Sequence, residues 1–382
     1  MSDLAVVEPA AYLNNAAEGW PRAPGVSQAV RQALEDWRQG GGRSTGEEED
    51  PVEQTRRTLA EWLGVSDPTR IVFAGSATLA LNLAILGLPP ERFRRVLTTV
   101  TEHNSVLRPL LEAVTRYGGQ VHLVDLDSSG RLDREGFESA LGQKPTLVAL
   151  NHASNVTGQI NPIEPLLEAA HRAGAVTLLD ASQSVGYLKL RPAEWPLDLM
   201  AFGGQKGLHG PPGIGVLYVS RRLELQPLYS GGTGVQSELL RQPPQMPLRL
   251  EAGTANTPAL LGLQAAVRWQ ASQGEAFAAR AAEAGRRLRQ GLEEMARVRI
   301  YSPPGPRLGV ISFRLPGWEC AEAAWVLRRS FRVACRAGLH CAPLMHRALG
   351  SFPEGTIRFS VSGFTGPEEV EAALDAVRRM AR

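Results

Sequence analysis

Residues 178–215 read LLDASQSVGYLKLRPAEWPLDLMAFGGQKGLHGPPGIG, and this stretch decides the fold. One apolar run closes on Asp180. A second, DLMAF, closes on Phe202, and a glycine-rich turn then presents Lys206, 26 residues after the aspartate. The short segment GPPGIG leads directly into a third run at 215–219, so that strand is expected to return antiparallel without a crossover helix. Four further β-rich runs, at 71–73, 96–100, 121–124 and 146–150, bring the strands to seven. Segments 77–86, 106–117, 133–141 and 163–173 lie between them with apolar residues at helical spacing. Strands alternating with helices predict βαβ crossovers, a mainly parallel sheet, and a ligand site at its carboxyl edge.

From about Pro258 the texture changes. A long Ala- and Arg-rich helix is expected over 259–297, then strands near 298–301, 309–314 and 332–335, a helix at 321–329, a strand at 357–361 and a last helix at 367–380. This predicts an α/β protein with a large domain over 16–257 and a smaller α+β domain made of 1–15 and 258–382. The segment GGGRSTGEEED at 40–50 is expected to be a mobile loop.

Composition excludes several classes. The net charge of +2 gives no dedicated nucleic-acid or membrane surface, and 43% apolar with 21% charged residues suits a soluble globular protein. There is no apolar stretch of membrane-spanning length, and residues 1–11 lack the regions of a signal peptide. An odd count of 3 cysteines argues against a disulfide framework and for a reducing, cytoplasmic compartment.

The pairing of Asp180 with Lys206 suits pyridoxal phosphate. A lysine amine holds that cofactor as a Schiff base, and a carboxylate keeps its ring nitrogen protonated so that the ring accepts electrons. Among 41 basic residues only Lys144, Lys189 and Lys206 are lysines. Lys144 precedes an apolar run and so lies at the wrong end of a parallel strand; Lys189 lies in a surface crossover. Lys206 is the attachment candidate.

Gly75-Ser76-Ala77-Thr78 joins a strand to an apolar helix, where backbone amides and a hydroxyl make either a phosphate site or a plain helix cap. No P-loop competes, because Gly207 follows Lys206. His103 closes another strand and can stack on a cofactor, move protons, or hold a loop. Gln183 and Asn155 are amides within reach of a ring hydroxyl, or turn caps. In RAGLHCAP, Cys341 is either a reactive thiol whose anion Arg336 and His340 favour, or an inert core residue of the kind expected of Cys320 and Cys335. Arg358, inside the strand TIRFS, needs an anion: a substrate carboxylate or a structural acid.

Taken in order, YLNNAA, SATLALNLAI, EHNSVLRPL, NHASNVTGQINPI, LLDASQSVG, GGTG, EAGTANTP and RAGLHCAP resemble the class V aminotransferase-fold enzymes of fold type I. Within them the likeness is to the cysteine desulfurase/selenocysteine lyase branch, over nearly the whole chain. The resemblance implies that Lys206 bears the cofactor, Asp180 pairs with its ring nitrogen, Gln183 bonds the ring oxygen, His103 stacks on the ring and Asn155 lies near it. It implies that Ala77 and Thr78 hold the phosphate, with Thr254 supplied by the second subunit of a homodimer. Arg358 takes the substrate carboxylate and Cys341 becomes the persulfide. The implied substrate is L-cysteine, or L-selenocysteine, with a sulfur-acceptor protein beyond it. The alternatives are a lyase or aminotransferase in which Cys341 carries no sulfur, and a degenerate scaffold without turnover. The sequence departs from the family's pattern in places. Gln205 and Gly203 stand where histidine and serine are usual around the lysine, although glutamine still donates a hydrogen bond. Asn14 replaces a common aspartate, and the segment around Arg43 is acidic.

Overall fold

The computed structural model describes residues 9–36 and 50–381. The expected loop at 40–50, with Arg43, therefore lies outside the described residues except for Asp50. In chain order, β1 (Ala11–Tyr12), α1 (Val26–Glu35) and α2 (Pro51–Leu63) come first. Then follow β2 (Ile71–Ala74), α3 (Ala77–Leu86), β3 (Arg95–Thr99), α4 (Asn104–Tyr117), β4 (Gln120–Val124) and α5 (Arg134–Leu141). The alternation continues through β5 (Leu147–Asn151), α6 (Ile163–Arg172), β6 (Val176–Asp180), β7 (Leu199–Gly203) and β8 (Gly215–Val219). After an irregular stretch come α7 (Thr257–Glu293), β9 (Arg299–Ile300), β10 (Val310–Arg314) and α8 (Cys320–Ser330). The chain ends with β11 (Val333–Ala334), β12 (Arg336–Gly338), α9 (Pro343–Ala348), β13 (Thr356–Ser360) and α10 (Pro367–Met380).

The seven expected strands form one sheet in the order β2-β8-β7-β6-β5-β3-β4. The pairs β3–β4, β3–β5, β5–β6 and β6–β7 are parallel, and β8 runs antiparallel to both of its neighbours. Every residue of β5, β6, β7 and β8 is buried. Their side chains alternate between two cores: Met200 and Phe202 enter one face, Leu199 and Ala201 the other. Burial on both faces is why these strands read as continuous apolar runs, and it forbids a one-residue slip of register. Truncating the fully buried Phe202 to alanine would cost about 3–5 kcal/mol.

A second, four-stranded sheet, β12-β13-β10-β9, packs with α8, α10 and the second half of α7 around Phe313 and Phe359. Ala11 and Leu13 join this core, and β1 pairs with β11. Helix α7 serves both cores: Leu260, Leu263 and Val267 pack on the large sheet, Ala284, Leu288 and Leu292 on the small one.

Several expectations need correction. The run at 332–335 is a strand only at Val333–Ala334, and α1 and β1 were not anticipated. β12, a left-handed turn at His340 and Cys341, and the start of α9 divide residues 337–344, and α9 was not anticipated. Gly338 gave no strand signal, yet β12 forms because β13 offers it an antiparallel ladder, Arg336 opposite Arg358.

Candidate active site

The parallel register sets the floor of the site. In β5 and β6, Asn151 lies opposite Asp180, and in β6 and β7 Asp180 lies opposite Ala201, so the carboxyl ends of three strands meet. Lys206 follows β7 by three residues. These ends open into a cavity of about 210 Å³ that Asp180, Gln183, Asn155, Lys206 and His103 all line. Ala77, Thr78 and Gln205 line it too, as do Arg336 and Arg358 from the small sheet. Nine of the eleven expected site residues thus line one cavity, and Cys341 is not among the lining residues. Thr254 is exposed and lies away from it in the single chain.

Each side chain has a physical reason for its pose. Ser76 caps α3, its hydroxyl accepting from the Leu79 amide at 3.2 Å, while Thr78 Oγ1 and Ser105 Oγ bond at 2.8 Å. The helix cap is thus made by Ser76, while Ala77 and Thr78 line the cavity. His103 caps α4: its Nδ1 accepts from the Ser105 amide at 3.0 Å, which leaves the ring proton on Nε2. Burial, and then the neighbouring Lys206 charge, push His103 down to about 4, so the ring is neutral at pH 7. Burial likewise lowers the Lys206 ammonium below its usual value, against the pull of Asp180. Lys144 and Lys189 are exposed and neither borders the cavity.

Asp180 Oδ1 accepts from the Ser182 amide at 2.9 Å. Gln183 donates to the Ala16 carbonyl at 2.9 Å. Asn155 joins two elements: its side-chain amide donates to the His340 carbonyl at 2.7 Å and its backbone carbonyl accepts from Arg358 Nη1 at 2.9 Å. The structural-acid alternative for Arg358 fails among the described residues. Its other contact is the neutral Asn14 Oδ1 at 3.5 Å, and its buried Nε has no partner. Burial and then the adjacent Arg336 charge press Arg358 down to about 9. A bound carboxylate would relieve both penalties.

Cys341 is held in a left-handed conformation, φ 59°, after His340 at φ 49°. The Asn104 amide donates to the Cys341 carbonyl at 2.8 Å and so ties this turn to the His103 segment. Arg336 Nη2 lies 3.6 Å from Cys341 Sγ. The expectation that His340 also favours a thiolate is wrong. His340 is buried, its Nε2 faces Thr356 Oγ1 at 3.2 Å, and burial drives it well below its usual value, so it carries no positive charge. Burial pushes the Cys335 thiol up to about 12 and raises Cys320, which is buried at the start of α8.

Sequence reading missed Glu102, Asn151, Ser105 and Ser182. Glu102 is fully buried; its Oε1 accepts from Thr99 Oγ1 at 2.8 Å and the Asn151 amide at 2.9 Å, while Oε2 has no partner. Burial lifts this acid to about 8, so it is mostly protonated at pH 7. Its place beside His103 at a strand end was the available signal. Among the described residues no cluster of metal-binding side chains exists, and no helix is long and apolar enough to cross a membrane.

The half-buried lysine sharing a cavity with a carboxylate, the hydroxyl-rich helix start and the unsatisfied arginine form a donor set that fits pyridoxal phosphate. The class V aminotransferase family matches residues 11–373, and the chain belongs to it. Its relatives include a probable cysteine desulfurase of Pyrococcus abyssi, 32% identical over 86% of this chain and 83% of that protein. A probable cysteine desulfurase of Mycolicibacterium paratuberculosis is 33% identical over 87% of this chain, which spans only 49% of that longer protein. Among solved structures, an apo cysteine desulfurase from Thermococcus onnurineus superimposes with a TM-score of 0.89 at 29% identity, covering 97% of this chain and 94% of the other.

Proposed function

We propose that this chain is a pyridoxal-phosphate-dependent cysteine desulfurase: it converts L-cysteine to L-alanine and takes the sulfur onto Cys341 as a persulfide. The observation that carries the reading is a thiol held 3.6 Å from Arg336, a side chain that lines the same cavity as Lys206 and Asp180. When bound, the cofactor supplies an electron sink for negative charge at the substrate α-carbon. Lys206 holds it and, when freed by substrate, accepts the α-proton at Nζ; its lowered ammonium suits that task. Asp180 would pair with the ring nitrogen, Gln183 would bond the ring oxygen, and the neutral His103 would stack on the ring. Asn155 lies near the ring and steadies Arg358, which takes the substrate carboxylate. Ala77, Thr78 and Gln205 receive the phosphate.

The Cys341 thiolate attacks the substrate sulfur. A sulfur–sulfur bond forms, the substrate carbon–sulfur bond breaks, and the departing carbon keeps the electron pair and gains a proton. L-cysteine plus the protein thiol thus yields L-alanine plus the protein persulfide, with no outside oxidant. L-selenocysteine is a second substrate, and a sulfur-acceptor protein removes the persulfide in the cytoplasm.

The working form is a homodimer in which a second copy supplies Thr254. Support comes from exposed apolar residues, Leu228, Tyr229, Val235, Leu239 and Leu240, in the same irregular stretch as Thr254. The two cores support a division into 16–257 and 1–15 with 258–382, with the first half of α7 packing back on the large sheet. The test is to supply L-cysteine and measure alanine and protein-bound persulfide together. Both should appear in equal amounts on the first turnover; alanine without persulfide would promote the lyase reading. A solution mass near 41 kDa for the active form would end the composite-site proposal.

A further inference from the structure

Gly203 and Gln205 flank Gly204 in the turn after β7. Gly203 does not owe its identity to backbone conformation, since its φ is not positive. Its constraint is space. A Cβ built on Gly203 falls 2.6 Å from Gln205 Oε1, closer than real Cβ atoms come, yet 3.5 Å from Ala77 Cβ, an ordinary contact. The Gln205 amide therefore fills the room that a side chain at 203 would occupy, and it does so beside the first residue of α3. That amide lines the cavity and, among the described residues, has no hydrogen-bond partner. The helix start next to it offers free amides and the Thr78–Ser105 hydroxyl pair, with no cationic side chain assigned to this end. Both arginines of the cavity belong to the small sheet, His103 is neutral, and Lys206 is committed to covalent attachment in the proposed function.

We infer that Gly203 and Gln205 act as one unit: the bare glycine lets the Gln205 amide lie against the α3 N-terminus, where it is an uncharged donor to the cofactor phosphate. The inference rests on the proposed function, because only a phosphorylated cofactor gives that amide an acceptor. It makes phosphate recognition at this end the work of neutral donors, with glycine at 203 required only while glutamine stands at 205.

The geometry predicts a non-additive pair. Gly203→Ala adds a methyl that swings the flexible amide away, and Gln205→Ala removes the amide; each should weaken pyridoxal phosphate binding about tenfold, the scale of one hydrogen bond to a charged group. In the double variant the methyl occupies vacated space at ordinary contact distance from Ala77, so affinity should be no worse than in Gln205→Ala alone. The measurement is equilibrium titration of the cofactor-free full chain with pyridoxal phosphate and, separately, with pyridoxal. Thermal melting of each cofactor-free variant confirms that it is folded. Losses confined to pyridoxal phosphate and a double variant equal to Gln205→Ala support the unit. Losses that multiply in the double variant, or that are equal for pyridoxal, overturn it while leaving the proposed function intact. If the unaltered chain forms no lysine-borne absorbance with pyridoxal phosphate, the proposed function falls, and this inference with it.

Discussion

Lys206 lines the cavity from one wall, and Cys341 is held beside Arg336, which lines it from a second, differently built wall. Lys206 stands three residues beyond β7, a strand buried on both faces whose register with β6 also positions Asp180. Cys341 stands after a three-residue edge strand, on a turn with two consecutive left-handed residues. It is pinned from outside its own sheet, by the Asn104 amide at its carbonyl and by Asn155 at the carbonyl before it. The lysine is thus placed by the core itself, and the cysteine by a few hydrogen bonds between the two sheets. Damage to the first wall should show as loss of cofactor attachment or of folding, and damage to the second as loss of sulfur chemistry alone.

The largest expected effect is on the lysine wall. Lys206→Ala should abolish the visible absorbance of the bound cofactor and lower turnover by at least about 10³-fold. Borohydride reduction and peptide mapping should place the label on Lys206, and a label on Lys144 or Lys189 would break the comparison at its root. Next comes Cys341→Ala. Cofactor absorbance should persist while persulfide formation from L-cysteine falls by about 10²-fold or more, and selenocysteine turnover should survive better because the C–Se bond is weaker. Cys320→Ala should do the reverse, losing about 1 kcal/mol of stability with sulfur transfer kept. Equal desulfuration in Cys341→Ala and the parent would end the persulfide route. A milder version is Arg336→Gln, which removes the charge beside Sγ: alkylation of Cys341 by iodoacetamide at pH 7 should slow several-fold, with alkylation of Cys335 unchanged.

Two smaller effects concern protons. Burial holds His103, His152, His209 and His346 down to about 4 and drives His340 well below its usual value. The unfolded chain takes up protons near the ordinary value, so the stability these neutral rings give is present above pH 6.5 and is lost as pH falls toward 4. The melting temperature should drop steadily over that window; a flat profile would show that the rings are solvated. Glu102 has the opposite sign. With its acid lifted to about 8, the folded state resists ionisation, so its unfavourable contribution grows from pH 4.5 upward and levels off above 8. Glu102→Gln keeps an acceptor for Thr99 and Asn151 and should raise the melting temperature at pH 8 more than at pH 5. An equal shift at both would mean that the carboxyl is already charged in the fold.

The strands of the large sheet, the antiparallel return of β8 and the lysine–aspartate pair were all legible in the sequence. A strand buried on both faces must be apolar throughout, and a short connection leaves room only for an antiparallel return. Helix α1 was not legible because its N-cap, Gly25, makes no side-chain cap bond to announce it. Neither was β12, which is a strand only through its ladder with β13. The roles of Asn155 and Gln183 as braces, the missing acid partner of Arg358, the neutrality of His340 and the contact of Gln205 with Gly203 depend on groups far apart in the chain or on the path of a side chain. Local periodicity records which face of an element is buried. Which groups meet at that face, and what burial does to their charge, is decided only when the two sheets close on each other.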